Sequence, residues 1–413
     1  MTKSLSQYFS GIGAKRLTRL EVQPHLSNQH EFNGIYEFRE IFGTEKKVFH
    51  GTYIYLAEDS DNSFSEEGIL TWYDARANHP TRTEYRLYYN HNTVISSANP
   101  GDLVIIGKTV NEELVVIVSP EGSTPEQQMK YLFGLEEIET KFVFKNIITN
   151  DFQLNFSGRY IMSTLGIEVE EEDHNYLEEI LKKFDSKFPT TAEFSAFARN
   201  TIKNVSPIEE PDQTIIRYLE QEELLFRTLE KHIVEQKLKE GFGPKGNDVD
   251  EFVKYSLSVQ NRRKSRAGHS FENHLASIFL ENNLRFSKGQ KTERNNKPDF
   301  LFPDITNYHQ NNFNVDLLTM LGVKTTAKDR WRQVLSEAEK IPQKHLITLE
   351  PAISVNQTDE MKQQTLQLVI PSPLFNSYSE AQQKEIITLA DFINLIKEKE
   401  FKFSSGNSSA TLF

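Results

Sequence analysis

Residues 297–303 read KPDFLFP and residues 321–326 read LGVKTT. Each is a short apolar run that predicts a buried β-strand, with Asp299 at the start of the first and Lys324 at the end of the second. A carboxylate and a lysine at adjacent strand ends can share a metal-bound water. The carboxylate binds Mg²⁺, and the lysine orients the attacking water or offsets charge on a phosphate. The two stretches therefore predict metal-assisted chemistry at a phosphate group.

The spacing of Asp299 and Lys324 is that of the PD-(D/E)xK nuclease motif, with one departure. The residue two positions before Lys324 is Gly322 rather than an acidic residue, so a second metal-binding carboxylate must come from elsewhere. The candidates are Glu337 and Glu272, which are both predicted to lie on helices. The alternative for either glutamate is a solvated surface side chain, which is where charged residues usually lie.

The second half of the chain alternates between helices and strands, as expected of an α/β domain. Periodic apolar residues predict a long helix over 213–239, which a glycine-rich stretch before Pro244 ends. Further helices are predicted over 267–283, 328–341 and 389–398, and strands over 299–302, 321–325, 345–349 and 366–370.

The first 150 residues predict a mostly-β domain instead. Continuous apolar strands are predicted at Leu103–Ile106 and Leu114–Val118, separated from other strands by turn signals such as Asn33-Gly34. Several short strands with this spacing indicate a barrel or sandwich. A short helix is predicted over 124–135. The predicted fold class is therefore α+β, with a β barrel or sandwich over 1–150, a helical connector over 151–212 and an α/β nuclease domain over 213–413.

Composition excludes several classes of protein. No apolar run approaches the roughly 20 residues that cross a bilayer, and the first 20 residues lack the features of a signal peptide. The absence of cysteine excludes disulfides, thiol catalysis and cysteine-based zinc sites, and fits a cytoplasmic protein. No phosphate-binding glycine loop is present, so no ATP use is expected. The net charge of −12 argues against a nucleic-acid coating protein, whereas local basic segments suit a DNA cleft.

Three blocks of sequence resemble the EcoRII-type restriction endonucleases. They read SVQNRRKSRAG at 258–268, KPDFLFP at 297–303, and VKTT at 323–326 followed by KDRWRQ at 328–333. The blocks have the order and similar spacing of that family, and the resemblance spans about 250–400. It implies a Mg²⁺-dependent type II restriction endonuclease that hydrolyses double-stranded DNA.

The resemblance also implies an active site made of Glu272, Asp299, Lys324 and Glu337. In this family the second carboxylate is displaced from the lysine strand to the following helix, which corresponds to Glu337. The resemblance implies that Asp299 and Glu337 bind Mg²⁺ and that Lys324 activates or positions the water. Glu272 is implied to support the metal shell or to bind a second metal.

The segment after the lysine strand is implied to read DNA bases through Lys328, Asp329 and Arg330. Lysine and arginine donate hydrogen bonds to guanine, and a carboxylate accepts from cytosine, which suits a CCWGG-like target. The alternative is a helix capping box from Thr326 to Asp329.

The basic run that precedes the nuclease strands is predicted to contact the DNA backbone. Its members are Arg262, Arg263, Lys264 and Arg266. The alternative is a solvated start of a helix.

The N-terminal domain resembles the DNA-binding pseudobarrels of other restriction enzymes, which are similar to the plant B3-type domain. The resemblance depends on residues 27–34 and the β pattern that follows. It implies that two arms of the domain, at about 28–34 and 72–86, bind in the major groove of DNA. Residues predicted to bind a second, effector copy of DNA are Asn28, Gln29, His30, Asn33, Arg76, Asn78, Arg82 and Arg86. The alternative is that they are ordinary exposed residues.

The leading interpretation is a type IIE, effector-stimulated restriction endonuclease. Cutting both strands of a palindromic site favours a homodimer, although a monomer that nicks sequentially is compatible with the sequence. One alternative is a modification-dependent nuclease. A comparison of cleavage of methylated and unmodified DNA distinguishes the two enzymes. Another alternative is a non-catalytic DNA-binding regulator. The presence of all four predicted active-site residues argues against it.

Overall fold

The computed structural model describes residues 3–23, 30–169 and 176–409. The chain forms two compact units. The first comprises Met1–Val169 with Pro351–Gln357, and the second comprises Glu170–Glu350 with Thr358–Phe413. The first is mostly β and the second mixes helices with a sheet, which confirms the predicted α+β class. Among the described residues, no helix combines the length and the apolar character needed to cross a membrane.

One eight-stranded sheet forms the frame of the first unit. Its strands are β1 (Phe9–Arg16), β2 (Glu31–Asn33), β3 (Lys47–Tyr55), β4 (Phe64–Asp74), β5 (Tyr85–Tyr89), β6 (Leu103–Thr109), β7 (Leu114–Ser119) and β8 (Val143–Asn146). They lie in the order β2-β5-β4-β3-β7-β6-β1-β8. Neighbours are antiparallel except for the parallel pair β3 and β7.

β6 and β7 are buried on both faces of this sheet, which explains their unbroken apolar sequences. In β6, Val104 packs into one core cluster with Trp72, whereas its neighbour Ile105 packs into a second cluster with Phe9. Because successive side chains of a strand point to opposite faces, a strand covered on both faces needs apolar residues at every position.

The described residues of the first unit also form five short α-helices. They are α1 (Arg19–Val22), α2 (Arg39–Phe42), α3 (Thr93–Ser96), α4 (Thr124–Phe133) and α5 (Phe156–Thr164). The Ser123 side chain caps α4, and Gly134, with φ of +58°, ends it.

Residues 351–357 follow the strand at Lys344–Thr348 in sequence but belong to the first unit. The backbone N–H of Ser354 donates to Thr124 Oγ1 over 3.1 Å, and the Gln128 side chain donates to the Pro351 carbonyl over 3.2 Å. The sequence did not predict that residues 351–357 belong to the first unit, because this depends on contacts between distant positions in the chain.

A five-stranded sheet forms the frame of the second unit. Its strands are β9 (Ser287–Lys288), β10 (Phe300–Phe302), β11 (Thr319–Lys324), β12 (Lys344–Thr348) and β13 (Leu366–Val369), in the order β13-β12-β11-β10-β9. β11, β12 and β13 are parallel, whereas β9 and β10 are antiparallel to their neighbours. The four strands predicted in this half are all present.

The helices of the second unit differ from the prediction in length. They are α6 (Leu177–Phe184), α7 (Thr191–Thr201), α8 (Pro211–Glu240), α9 (Val249–Glu281), α10 (Ile305–His309), α11 (Trp331–Leu335), α12 (Val355–Gln363, whose first three residues belong to the first unit), α13 (Glu380–Gln383) and α14 (Leu389–Ser409). α9 begins well before the predicted start at 267, because the Asp248 side chain caps it there by accepting the Glu251 N–H.

α6 and α7 lie in the segment predicted as a helical connector and instead share a core with α8. Ile180 of α6, Phe194 of α7 and Leu225 of α8 lie in one cluster of buried residues. α6 and α7 therefore belong to the second unit.

Candidate active site

The register of β10 and β11 brings Asp299 beside Lys324. The two strands pair antiparallel, with Phe300 opposite Leu321. Asp299 Oδ2 accepts a 2.6 Å hydrogen bond from the N–H of Val323 and lies 3.2 Å from Lys324 Nζ. The side chains of Asp299 and Lys324 are only 19% and 16% exposed, so solvent screens their attraction less than at the surface.

The geometry of Gly322 explains why the motif lacks an acidic residue two positions before the lysine. A Cβ at this position would lie 2.8 and 2.9 Å from the two methyl carbons of Val334 on α11. Valine is stiff at χ1, so it cannot move aside easily. β11 therefore has no room for a second carboxylate, and that carboxylate must come from another element.

Glu337 lies in a turn rather than on the helix predicted over 328–341. α11 ends at Leu335, and Ala338 has φ of +49°, which does not continue a right-handed helix. Glu337 therefore follows α11 by two residues.

The Glu337 carboxyl group is close enough to Asp299 and Lys324 to interact with both. Burial raises its pKa to about 7; the Asp299 carboxylate adds to the increase, and Lys324 opposes it. Glu337 Oε2 is buried and accepts no hydrogen bond from the described part of the chain. A buried carboxylate oxygen without a partner and a second carboxylate next to it form a pair of oxygen ligands whose negative charge a bound divalent cation would stabilise.

Lys344 holds the turn that carries Glu337, and the sequence analysis missed it. Its buried ammonium donates to the carbonyls of Ala338 and Ile341 over 2.6 and 2.7 Å. The available signal was a lysine directly before the apolar strand at 345–349, a position where a charged side chain needs local partners.

Glu272 lies on α9 and faces Lys288, whose Nζ is 3.3 Å from Glu272 Oε2. Within the described ranges, no three acidic or histidine side chains come together as a metal-binding group. The structure thus places Asp299, Lys324 and Glu337 close together. The role of Glu272 in the metal site stays a prediction.

We expect Glu337→Gln to stabilise the metal-free protein at pH 8. A carboxyl whose pKa is raised by folding binds its proton more tightly in the folded state. The wild type therefore loses stability as the pH rises from about 4.5 to about 7. The neutral amide avoids this loss, so the difference in unfolding free energy should approach about 3 kcal/mol above pH 7 and shrink toward pH 4. Urea unfolding in EDTA at several pH values measures it.

Glu339→Gln is the matched control, because Glu339 is exposed and pairs with Arg294 over 3.1 Å. We expect a change below about 1 kcal/mol for this variant. Equal stabilities of wild type and Glu337→Gln at pH 8 would contradict the burial of a charged Glu337.

The segment predicted to read bases presents two cationic side chains. Lys328 is half-buried and Arg330 is exposed, and within the described residues neither side chain has a hydrogen bond or an ion pair. The placement of the Asp329 side chain lies outside what the structure describes. Lys328 has φ of +29°, in the left-handed region, so its backbone must be held by surrounding contacts.

The basic run on α9 divides between surface and interior. Arg266 is only 7% exposed and pairs with Glu222 over 2.7 Å and with Glu223. Glu222 also contacts His274 Nε2 over 2.8 Å. Arg266 therefore belongs to a buried ion-pair network rather than to a DNA-facing surface, because its guanidinium is enclosed by the packing of α8 against α9.

The other members of the run are more accessible. Arg263 is partly exposed and pairs with Glu230 over 2.6 Å, and Arg262 lies over the Phe188 ring. Lys264 is exposed. The predicted contact with the DNA backbone remains a prediction for these three residues.

The first predicted arm of the N-terminal unit contains β2, and the second runs from the end of β4 to the start of β5, the strand next to β2. β2 pairs with β5, with Asn33 opposite Arg86, and Arg86 forms a 2.7 Å ion pair with Glu31. Arg76 pairs with Glu84. The structure therefore brings the two arms to one edge of the sheet, where some of their cations already have acidic partners.

The remaining predicted effector residues differ in exposure. Asn33, Asn78 and Arg82 are exposed, and His30 is half-buried with its ring near Tyr89. Asn28 and Gln29 lie outside the described residues. Trp72 in the second arm is fully buried and donates to the Gly43 carbonyl, so it is a core residue.

Residues 226–393, which contain Asp299, Lys324 and Glu337, match the family model described as EcoRII C terminal. This match lies in the C-terminal part of the chain and covers less than half of it. The chain is also 41% identical over 235 residues to the type II restriction enzyme EcoRII of Escherichia coli. That match covers 56% of this chain and 56% of the relative, so the chain spans about half the length of the relative it matches.

Two solved structures show a distant likeness. Metal-depleted Ecl18kI in complex with uncleaved, modified DNA is 18% identical with a TM-score of 0.44, covering 55% of this chain and 84% of that one. A restriction endonuclease PspGI–substrate DNA complex is 16% identical with a TM-score of 0.42, covering 52% of this chain and 94% of that one.

Proposed function

We propose that this chain is a type II restriction endonuclease that hydrolyses phosphodiester bonds of double-stranded DNA with Mg²⁺. The observation that carries the proposal is the contact between Lys324 and Asp299 next to the buried, unpartnered carboxylate oxygen of Glu337. The EcoRII C-terminal domain that contains these residues supports the same activity.

Each active-site residue has a distinct proposed role. Asp299 and Glu337 would hold Mg²⁺, which when bound stabilises charge on the phosphate and lowers the pKa of water. The Lys324 ammonium, oriented by Asp299, positions the attacking water and offsets negative charge at the phosphate. Glu272, which faces Lys288, supports this site from α9.

The proposed target is a short C/G-rich site resembling CCWGG. Lys328 and Arg330 have cationic side chains without partners in the described ranges, which suits donation to guanine O6 and N7. Asp329 would accept from cytosine N4. Arg262, Arg263 and Lys264 are proposed to contact the DNA backbone.

The N-terminal unit is proposed to bind a second copy of the DNA site as an effector, which corresponds to a type IIE enzyme. The adjacency of β2 and β5 supports this role, because it places both proposed arms at one sheet edge. We propose a homodimer, since two copies of one active site match a two-fold symmetric target.

Cleavage of a plasmid with several CCWGG sites tests the proposed function. We expect discrete fragments that require Mg²⁺, and faster cutting of a plasmid with two sites than with one. Mapping the fragment ends then gives the target. No cleavage of unmodified or methylated plasmid at any Mg²⁺ concentration, with DNA binding intact, would contradict the proposal and favour a regulator.

A further inference from the structure

A buried carboxylate lies directly beneath the segment that is proposed to read bases. Glu350 follows β12 and is 0% exposed. Its Oε2 accepts hydrogen bonds from the N–H of Ala327 over 2.6 Å and from the N–H of Lys328 over 3.1 Å. Two consecutive backbone donors therefore converge on one carboxylate oxygen at the start of the 3₁₀ turn Lys328–Arg330.

The backbone at this point needs such support. The φ of Lys328 is +29°, which a residue with a Cβ adopts only when its surroundings impose it. The buried charge of Glu350 in turn needs these donors, because a carboxylate without compensation is unfavourable in the interior. Each group therefore stabilises the other, and the contact fixes the backbone that carries Lys328 and Arg330.

Glu350 is itself held in place by its neighbours. Its backbone N–H donates to Thr348 Oγ1 over 3.2 Å, and Thr348 Oγ1 donates to the carbonyl of Thr325 over 3.3 Å. The hydroxyl of Tyr378 donates to the Glu350 carbonyl. The loop after β11 is thus tied to the end of β12 by both side chain and backbone.

We propose that Glu350 is a positioning residue that sets how well the enzyme distinguishes its DNA target from altered sites. This inference rests on the proposed function, because it gives the loop 325–330 a DNA-reading role. Hydrogen bonds to base edges depend on donor position, so a loop free to shift loses contact with the correct bases more than with the phosphate backbone. Glu350 acts through the loop and needs no contact with DNA.

The test compares Glu350→Ala and Glu350→Gln with wild type on a cognate site and on sites with one base pair changed. We expect Glu350→Ala to lower the ratio of the two kcat/KM values at least tenfold. Glutamine keeps an acceptor oxygen, so Glu350→Gln should retain part of the discrimination. Glu360→Gln is the control, because Glu360 is an exposed carboxylate that pairs with Arg332 of α11; its ratio should not change.

Hydrogen exchange of the Ala327 and Lys328 amides provides a readout that needs no cleavage. We expect slow exchange in wild type and at least tenfold faster exchange in Glu350→Gln, with the β11 amides unchanged. An unchanged discrimination ratio in a folded Glu350 variant would overturn the proposal, whether or not the amide exchange changes. A wild-type protein that cuts no DNA would instead contradict the proposed function, while the exchange still tests the contact.

Discussion

Lys324→Ala is expected to lower the rate of DNA cleavage by roughly 10³-fold, which corresponds to about 4 kcal/mol of transition-state stabilisation. The Lys324 ammonium is the cation that lies 3.2 Å from Asp299 Oδ2, and alanine leaves nothing there to orient water or to offset phosphate charge. Asp299 keeps its hydrogen bond from the Val323 N–H, so the fold around the site should persist. Single-turnover cleavage at saturating Mg²⁺ measures the effect.

The control for this variant is Lys245→Ala. It removes the same charge from an exposed loop position, and cleavage should stay within about twofold of wild type. DNA affinity without Mg²⁺ should be similar in both variants. Near wild-type cleavage by a folded Lys324→Ala protein would remove Lys324 from the proposed active site.

Arg266→Met is expected to lower the unfolding free energy by about 3–5 kcal/mol, the range for breaking a buried ion pair. Glu222 is fully buried and loses its ion pair with the guanidinium, while its contact with His274 Nε2 over 2.8 Å remains. Burial lowers the pKa of His274, so the imidazole compensates poorly near neutral pH. A fall in melting temperature of roughly 10 °C should follow for a unit of this size.

Lys239→Met is the control, since Lys239 pairs with Glu235 at the surface of α8 over 2.6 Å. We expect a loss of less than about 1 kcal/mol from it. The salt dependence of DNA binding separates the two interpretations of Arg266. The slope is that of the logarithm of the DNA-binding constant against the logarithm of the salt concentration. A lower melting temperature with an unchanged slope supports the buried network, whereas a weaker slope at unchanged stability would support a phosphate contact.

Local sequence was sufficient to predict the strands and the central pair of the site. The apolar runs at 300–302 and 319–324 form adjacent strands, and a carboxylate before one and a lysine at the end of the other meet where those strands pair. The continuous apolar strands of the first unit were predictable for the same reason, because burial on both faces is visible in the residues themselves.

The boundaries of several helices were not predictable from periodicity alone. The helix over 328–341 was predicted too long because its apolar spacing continues past Leu335, whereas the backbone at Ala338 turns away. The start of α9 was placed too late, because its first half exposes apolar residues such as Val249 and Leu257 and so lacks a clear buried face.

The sequence by itself determined the α+β class, the neighbouring Asp299 and Lys324, and the need for a carboxylate from outside β11. Only the tertiary structure decided why Gly322 has no side chain, that Arg266 is buried, and that Glu350 supports the loop after β11. The first group depends on residue pattern along one or two strands. The second depends on Val334, Glu222 and the Ala327 N–H, partners whose proximity arises from packing and leaves no pattern in the local sequence.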